Sequence, residues 1–246
     1  MVLIGRGLRV IAGWLDLAVH TLLLWGLALL PRAWTASWYP ALFRGWCRTF
    51  VRALRIDLRL HQHQTAELPS RYLLIANHPS AVEDIGIPAL FPVDSLAKAE
   101  VKDWWIAGRI SRHAGTLYVR RDSKASRREA ADAIVAALQK GRCIALYPEG
   151  GCTGRRLAPC FHYGTFEIAQ RADVPVVPVF IHYEAQDAFE WLHESLPRKI
   201  LSIAMAPNRT ANYHVFDPFW PRDYPNAATF HDAVYAQYQR WEQQLL

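Results

Sequence analysis

An imidazole followed closely by two carboxylates, in Asn77-His78-Pro79-Ser80-Ala81-Val82-Glu83-Asp84, is the part of this 246-residue chain best equipped to move a proton. Imidazole titrates near neutral pH, so it can take a proton from an alcohol as that alcohol attacks a carbonyl, an effect of about 10² to 10⁴-fold. A carboxylate bonded to the other ring nitrogen fixes the tautomer and stabilises the imidazolium. Glu83 and Asp84 are both placed to reach back from a first helical turn. A second run, Tyr147-Pro148-Glu149-Gly150-Gly151-Cys152-Thr153, supplies Glu149 to hold an acceptor's hydroxyls. Its small Gly150-Gly151 turn lets backbone N–H groups approach a ligand. An acyl thioester is already activated, so a site for it needs only to deprotonate the acceptor, orient it and stabilise the oxyanion. The two runs together point to acyl transfer. Gly-x-Ser-x-Gly is absent, which disfavours a serine hydrolase triad; Cys152 could serve as a covalent nucleophile.

Those residues need elements to hold them. Leu73-Leu74-Ile75-Ala76 is a short unbroken apolar run, the pattern of a strand buried on both faces. Ser80-x-x-Glu83 ahead of Ile85 and Ile87 is a capping-box helix start. His78 therefore falls at the C-terminal end of a strand, where open α/β sheets carry their sites. Further strands are expected at 95–97, 116–119, 143–147, 176–182 and 200–204, with helices at 84–90, 103–114, 123–140 and 163–171. This alternation predicts an α/β domain over 55–246, with a mostly parallel central sheet flanked by helices. Residues 208–225 read as a proline-marked loop and 227–246 as a closing amphipathic helix. His61 and His63 alternate on an edge strand and read as solvent-facing.

Residues 1–54 have a different character. The first 60 residues hold eight Arg, two Asp and no Lys or Glu, so the whole excess of +6 lies there and the remainder is neutral. A basic, apolar N-terminus on a neutral body reads as membrane attachment and argues against nucleic acid, which calls for a basic face on the folded domain. Five of the ten Trp, at 14, 25, 34, 38 and 46, fall in this segment, and Trp favours the membrane interface. Residues 10–30 are long enough as a helix to cross a hydrocarbon core, about 31 Å. Asp16 interrupts them, with His20 one turn on as a partner, so spanning and lying half-immersed are both open. Residues 41–53 set Arg44, Arg48 and Arg52 on one face and Phe43, Trp46 and Phe50 on the other, an interfacial pattern completing a helical pair. If 10–30 span, the following arginines put the catalytic domain on the cytoplasmic face. Cysteines 47, 143, 152 and 160 lack paired spacing and read as reduced thiols, and no metal is expected.

In order along the chain these blocks resemble the glycerophospholipid acyltransferase family, whose best-known members make phosphatidic acid from 1-acylglycerol 3-phosphate. The resemblance covers roughly residues 55–205 and rests on four motifs. Asn77 to Asp84 is similar to the first, a His followed after four residues by Asp, a position held here by Glu83 with Asp84 next to it. Lys98-Ala99-Glu100-Val101 and Gly115 to Arg121 are similar to the second, in which Arg121 matches the phosphate-holding arginine. Tyr147-Pro148-Glu149-Gly150 resembles the third, and Val174-Pro175-Val176-Val177-Pro178-Val179 the fourth, which helps shape the acyl site.

The resemblance implies an O-acyltransferase with His78 as general base, oriented by Glu83 or Asp84. Lys98 and Arg121 would meet a phosphate, and Glu149, Gly150 and Gly151 the acceptor. The expected partners are membrane lipids, a lysophospholipid acceptor, and acyl-CoA or acyl carrier protein as donor substrate, with no cofactor. The chain departs from the pattern where Gly151-Cys152-Thr153 replaces Thr-Arg-Ser. Arginine is the side chain best matched to a phosphate fork, so its loss keeps other acceptors open: glycerol 3-phosphate, another lysophospholipid or a lyso-aminolipid. Arg155 and Arg156 are close enough in sequence to compensate. An inactive membrane-binding protein on the same scaffold is the alternative of another class.

Overall fold

The computed structural model describes residues 2–120, 123–152, 154, 157–191 and 194–246, with side chains of the first helix from residue 7 onward. Helix α1 (Val2–Leu27) leads through the single turn α2 (Arg32–Thr35) into α3 (Tyr39–Ala53), which starts with Pro40 in its first turn, where a missing N–H costs nothing. Leu17, Leu24 and Ala28 turn inward, while Leu8, Ile11, Leu15, Val19 and Leu22 form an exposed apolar stripe. Trp46 Nε1 donates to Thr21 Oγ1 at 2.7 Å, and His20 Nδ1 lies 3.2 Å from Thr49 Oγ1. His20 is thus held by α3, and Asp16 is exposed.

Helix α3 looks both ways. Cys47, Val51 and Leu54 join the core of the α/β body, and Arg48 Nε donates to the Ala89 carbonyl at 2.9 Å. Part of the arginine face expected at an interface is therefore spent on holding the helix to the body.

The body runs β1 (Asp57–Gln62), β2 (Leu73–Ala76), α4 (Glu83–Leu90), β3 (Asp94–Lys98), α5 (Ala107–Ala114), β4 (Leu117–Val119), α6 (Lys124–Gln139) and β5 (Ile144–Leu146). It continues with α7 (Gly164–Ala172), β6 (Val176–Tyr183), the short α8 (Gln186–Phe189), α9 (Leu196–Met205), β7 (Thr210–Val215) and α10 (Ala227–Leu245). The described strands form one seven-stranded sheet in the order β1-β7-β6-β2-β5-β3-β4. Strands β2 to β6 are mutually parallel; β7 is antiparallel to β6 and pairs parallel with β1. Strand β2 is central, with Ile75 opposite Leu146 on one side and Pro178 on the other. Alternation along it feeds two cores: Leu74 and Ala76 pack with Ile87 and Tyr213, Leu73 and Ile75 with Phe166 and Trp241. Each such fully buried Leu or Ile stabilises the fold by about 1.5 to 3 kcal/mol. A third cluster, Leu24, Ala28, Tyr39, Ile110 and Ala114, joins α1 and α3 to α5.

Two sequence expectations are corrected. Residues 200–204 belong to helix α9, not a strand: a five-residue apolar run does not separate the two by periodicity, and Pro197 in the first turn marks the helix start. Residues 208–225 are not all loop, because they contain β7, every residue of which is buried. Its polar members are satisfied by partners far away in sequence: Asn212 Oδ1 lies 2.9 Å from His61 Nε2, and Asn212 Nδ2 donates to Glu184 Oε1 at 3.0 Å.

Candidate active site

Parallel strands bring their C-terminal ends to one edge of the sheet. His78 follows β2 there, Tyr147 follows β5, Lys98 ends β3 and Arg120 follows β4. The His78 loop is pinned from both sides. Asn77 Nδ2 donates to the Ile181 carbonyl at 2.8 Å while Asn77 Oδ1 accepts from Ile181 N at 2.7 Å, a two-way bond to β6 that needs an amide. On the other side Trp191 N donates to the Pro79 carbonyl at 3.1 Å.

Glu83 is the carboxylate on His78. Its Oε2 lies 2.9 Å from His78 Nδ1, and it is fully buried. Ser80 N donates to both Glu83 oxygens at 3.1 Å, and Tyr183 Oη donates to Oε1. This is half of the expected capping box, because the carboxylate reaches back to the Ser80 N–H while Ser80 Oγ faces Val82 N at 3.5 Å. One carboxylate thus starts the helix and orients the imidazole. Asp84, one residue on, is exposed, and it acts on His78 through its charge.

The His78 ring is also fixed face-on. Tyr147 stacks on it with centroids 4.1 Å apart and planes 12° from parallel, which joins the first and third motifs physically. Cys152 Sγ donates to the Ser80 carbonyl at 3.2 Å and lies 3.4 Å from His78 Nε2. Burial alone would push the His78 pKa down. The Cys152 contact, the Glu83 hydrogen bond and the Glu83 and Asp84 charges outweigh it and hold His78 well above the ordinary histidine value. Burial pushes Glu83 up, opposed by its hydrogen bonds from His78 and Tyr183.

The other expected site residues are distributed as follows. Glu149 is buried and accepts from Ala158 N at 3.4 Å. Gly150 has φ +77°, and a Cβ there would strike the His162 ring, so only glycine fits. Its N–H is taken by the Tyr147 carbonyl at 3.0 Å, which closes the turn on itself. Gly151 faces open space. Lys98 and Arg120 are exposed at the same sheet edge. Arg121 lies outside the described residues, as do Thr153, Arg155 and Arg156.

Sequence reasoning missed Asn77 as a clamp, Tyr147 as a stacking partner and Tyr183 as the second support of Glu83. Tyr147 had a signal, its adjacency to Pro148-Glu149. Tyr183 ends a strand on whose alternating positions Val179 and Ile181 precede it, which marks it as facing inward with a hydroxyl to satisfy.

The chemistry such an arrangement allows is proton removal at Nε2, beside the Gly150-Gly151 turn and a basic sheet edge. A model of the family described as Acyltransferase matches residues 57–182, just over half of the chain. The chain is 33% identical over 184 residues to a lyso-ornithine lipid O-acyltransferase of Pseudomonas aeruginosa, covering 74% of this chain and 65% of that protein. It is 30% identical over 137 residues to a 1-acyl-sn-glycerol-3-phosphate acyltransferase of Neisseria meningitidis, covering 55% and 53%. The matches thus span between about half and 65% of these relatives' length. The fold is that of the crystal structure of the 1-acyl-sn-glycerophosphate acyltransferase PlsC from Thermotoga maritima, with TM-score 0.68 at 17% identity over 100% of this chain and 98% of that one. By the family model, and with its motifs gathered at one sheet edge, the chain belongs to the acyltransferase family.

Proposed function

We propose that the protein transfers a fatty acyl group from a thioester, acyl-CoA or acyl carrier protein, to the free hydroxyl of 1-acylglycerol 3-phosphate, giving phosphatidic acid at a membrane surface. The observation that carries this reading is His78, held by buried Glu83 at 2.9 Å and stacked on Tyr147 where the parallel strands end. The acceptor hydroxyl gives its proton to His78, its oxygen forms the ester bond to the acyl carbon, and the carbon–sulfur bond breaks. The imidazolium then protonates the departing thiolate. Lys98, Arg120 and Arg121 offer positive charge for the phosphate, and Glu149 accepts from the acceptor's hydroxyls.

The membrane part rests on α1, whose residues Gly7–Leu27 are long and apolar enough to cross a bilayer and little buried. Trp34, and Trp104 and Trp105 of the body, are also exposed, at 69%, 51% and 73%. Trp105 meets Trp25 of α1 edge-on at 5.6 Å. Trp seats itself at the headgroup level, and the arginines after α1 favour a cytoplasmic catalytic face.

A second acceptor, a lyso-ornithine lipid, is favoured by the match to that O-acyltransferase over 184 residues and by Cys152 standing where many family members have a phosphate-binding arginine. Labelled palmitoyl-CoA and palmitoyl-acyl carrier protein, offered in detergent with lysophosphatidic acid and separately with lyso-ornithine lipid, decide between them. Labelled phosphatidic acid is the expected product. Label only in the aminolipid moves the assignment to that acceptor, and no labelled lipid from either donor sinks the acyl-transfer reading.

A further inference from the structure

His78 Nε2 is the nitrogen that must receive the acceptor's proton, because Nδ1 is committed to Glu83. That nitrogen already faces a nucleophile: Cys152 Sγ lies 3.4 Å away. The ring cannot swing aside, since Tyr147 covers one face and Glu83, itself bonded to Ser80 N and Tyr183, holds its far side. Thiol, imidazole and carboxylate therefore stand in the order of a nucleophile, its base and the base's orienter. Cys152 is only partly buried, and a side chain added at the neighbouring Gly151 would meet nothing within 4 Å, so this side of the loop is not packed against the body. The direct mechanism gives this thiol nothing to do.

We propose that Cys152 is a covalent acyl carrier in the site, taking the acyl group from the donor thioester before the lipid hydroxyl takes it from Cys152. In the first half-reaction the S–H turns from the Ser80 carbonyl to Nε2, and His78 accepts the proton as Sγ attacks the thioester carbonyl. The Sγ–carbon bond forms, the donor carbon–sulfur bond breaks, and the imidazolium gives its proton to the departing thiolate. In the second, His78 takes the proton of the lipid hydroxyl, the new oxygen–carbon bond forms, the Sγ–carbon bond breaks, and Cys152 regains a proton from His78. Exchange of one thioester for another keeps the acyl group activated, so ester formation remains downhill. A further activity follows: without any lipid, the site shuttles acyl groups between thiols.

The inference rests on the thioester donor of the proposed function, and its test separates the two. Wild-type protein is given unlabelled palmitoyl-CoA with labelled CoA, or palmitoyl-acyl carrier protein with labelled carrier protein, and no lipid; label entering the thioester is followed, and the protein is digested for mass analysis. The expected result is exchange, with a palmitoyl adduct on the Cys152 peptide that neutral hydroxylamine removes. Cys152→Ala, with its folding checked by thermal melting, should lose exchange and drop lipid transfer by about a hundredfold or more. Transfer to lipid without exchange in the wild type, or undiminished transfer by Cys152→Ala, overturns the carrier role and leaves the lipid reading standing. Exchange with no transfer to any lysolipid keeps the carrier role and removes the lipid acceptor instead.

Discussion

Two buried histidines on the same sheet have opposite fates. His78 is 9% exposed and His214 6% exposed, and burial pushes the pKa of both downward. His78 has a carboxylate at 2.9 Å and stays well above the ordinary imidazole pKa. His214 has imidazoles instead: His63 Nε2 lies 3.0 Å from its Nδ1, His182 Nε2 lies 3.3 Å from its Nε2, and His61 stacks on it at 4.3 Å. Burial, and then the charges its neighbours would carry, push His214 down to about 3. The partner's charge, more than the degree of burial, decides whether an imidazole in this protein holds or sheds a proton. The four rings therefore read as a polar ladder that satisfies β7, with His214 uncharged within it, whereas His78, backed by a fully buried carboxylate, is the histidine built to hold a proton. His61 and His63 are half-buried and exposed, respectively, so the expectation of solvent-facing rings holds better for His63.

The largest test sets the two against each other. His78→Ala should lower transfer by about a thousandfold or more in protein that still folds, whereas His214→Ala should stay within a few-fold of wild type. Equal losses of activity in both would collapse the comparison.

A middle-sized effect concerns Glu83. A base must be neutral to work, so with its pKa raised, the acid limb of the pH profile of kcat/KM lies above 6.5, the ordinary histidine value. Glu83→Gln removes a cause of the upward shift and leaves burial in place, so the limb should move to lower pH while the rate falls about a hundredfold. Asp84→Asn should move the limb in the same direction by less and cost only a few-fold. The reverse ranking would transfer the orienting role to Asp84.

The smallest effect is on stability, where the two histidines act with opposite sign. His214 has a folded pKa below its unfolded value, so its contribution is complete above about pH 6.5 and is lost as pH falls toward 3. His78, raised on folding, contributes fully below about 6.5 and loses that contribution as pH climbs through its folded value. Thermal melting between pH 7.5 and 5 should therefore show a flatter acid-side decline for His214→Gln than for wild type, by a few degrees. An unchanged slope would show that His214 binds its proton equally well in the folded and the unfolded chain.

Much of this was legible in the sequence, and the exceptions have a common cause. The order of strands and helices from 73 to 183, the place of His78 at a strand end and the turn of the third motif were readable because local pattern dictates them: apolar runs, a capping start, a Gly-rich turn. Glu83 could not be separated from Asp84, because the choice depends on Tyr183, a hundred residues away, donating to one and not the other. Strand β7 was hidden because Asn212 and His214 look like loop residues until His61, His63 and Glu184 are brought beside them. Trp105 drew no notice because only the folded chain sets it beside Trp25 of α1.

The cluster joining Leu24 and Ala28 to Ile110 and Ala114 also has a meaning in time. Ile110 follows Leu24 by 86 positions, and a ribosome adding roughly 5 to 20 residues per second takes about 4 to 17 seconds to cover that gap. During the wait the apolar side of α1 that α5 will cover has no protein to rest on. The contact between α1 and α5 cannot form before then, so the body is assembled against a helix synthesised well ahead of it.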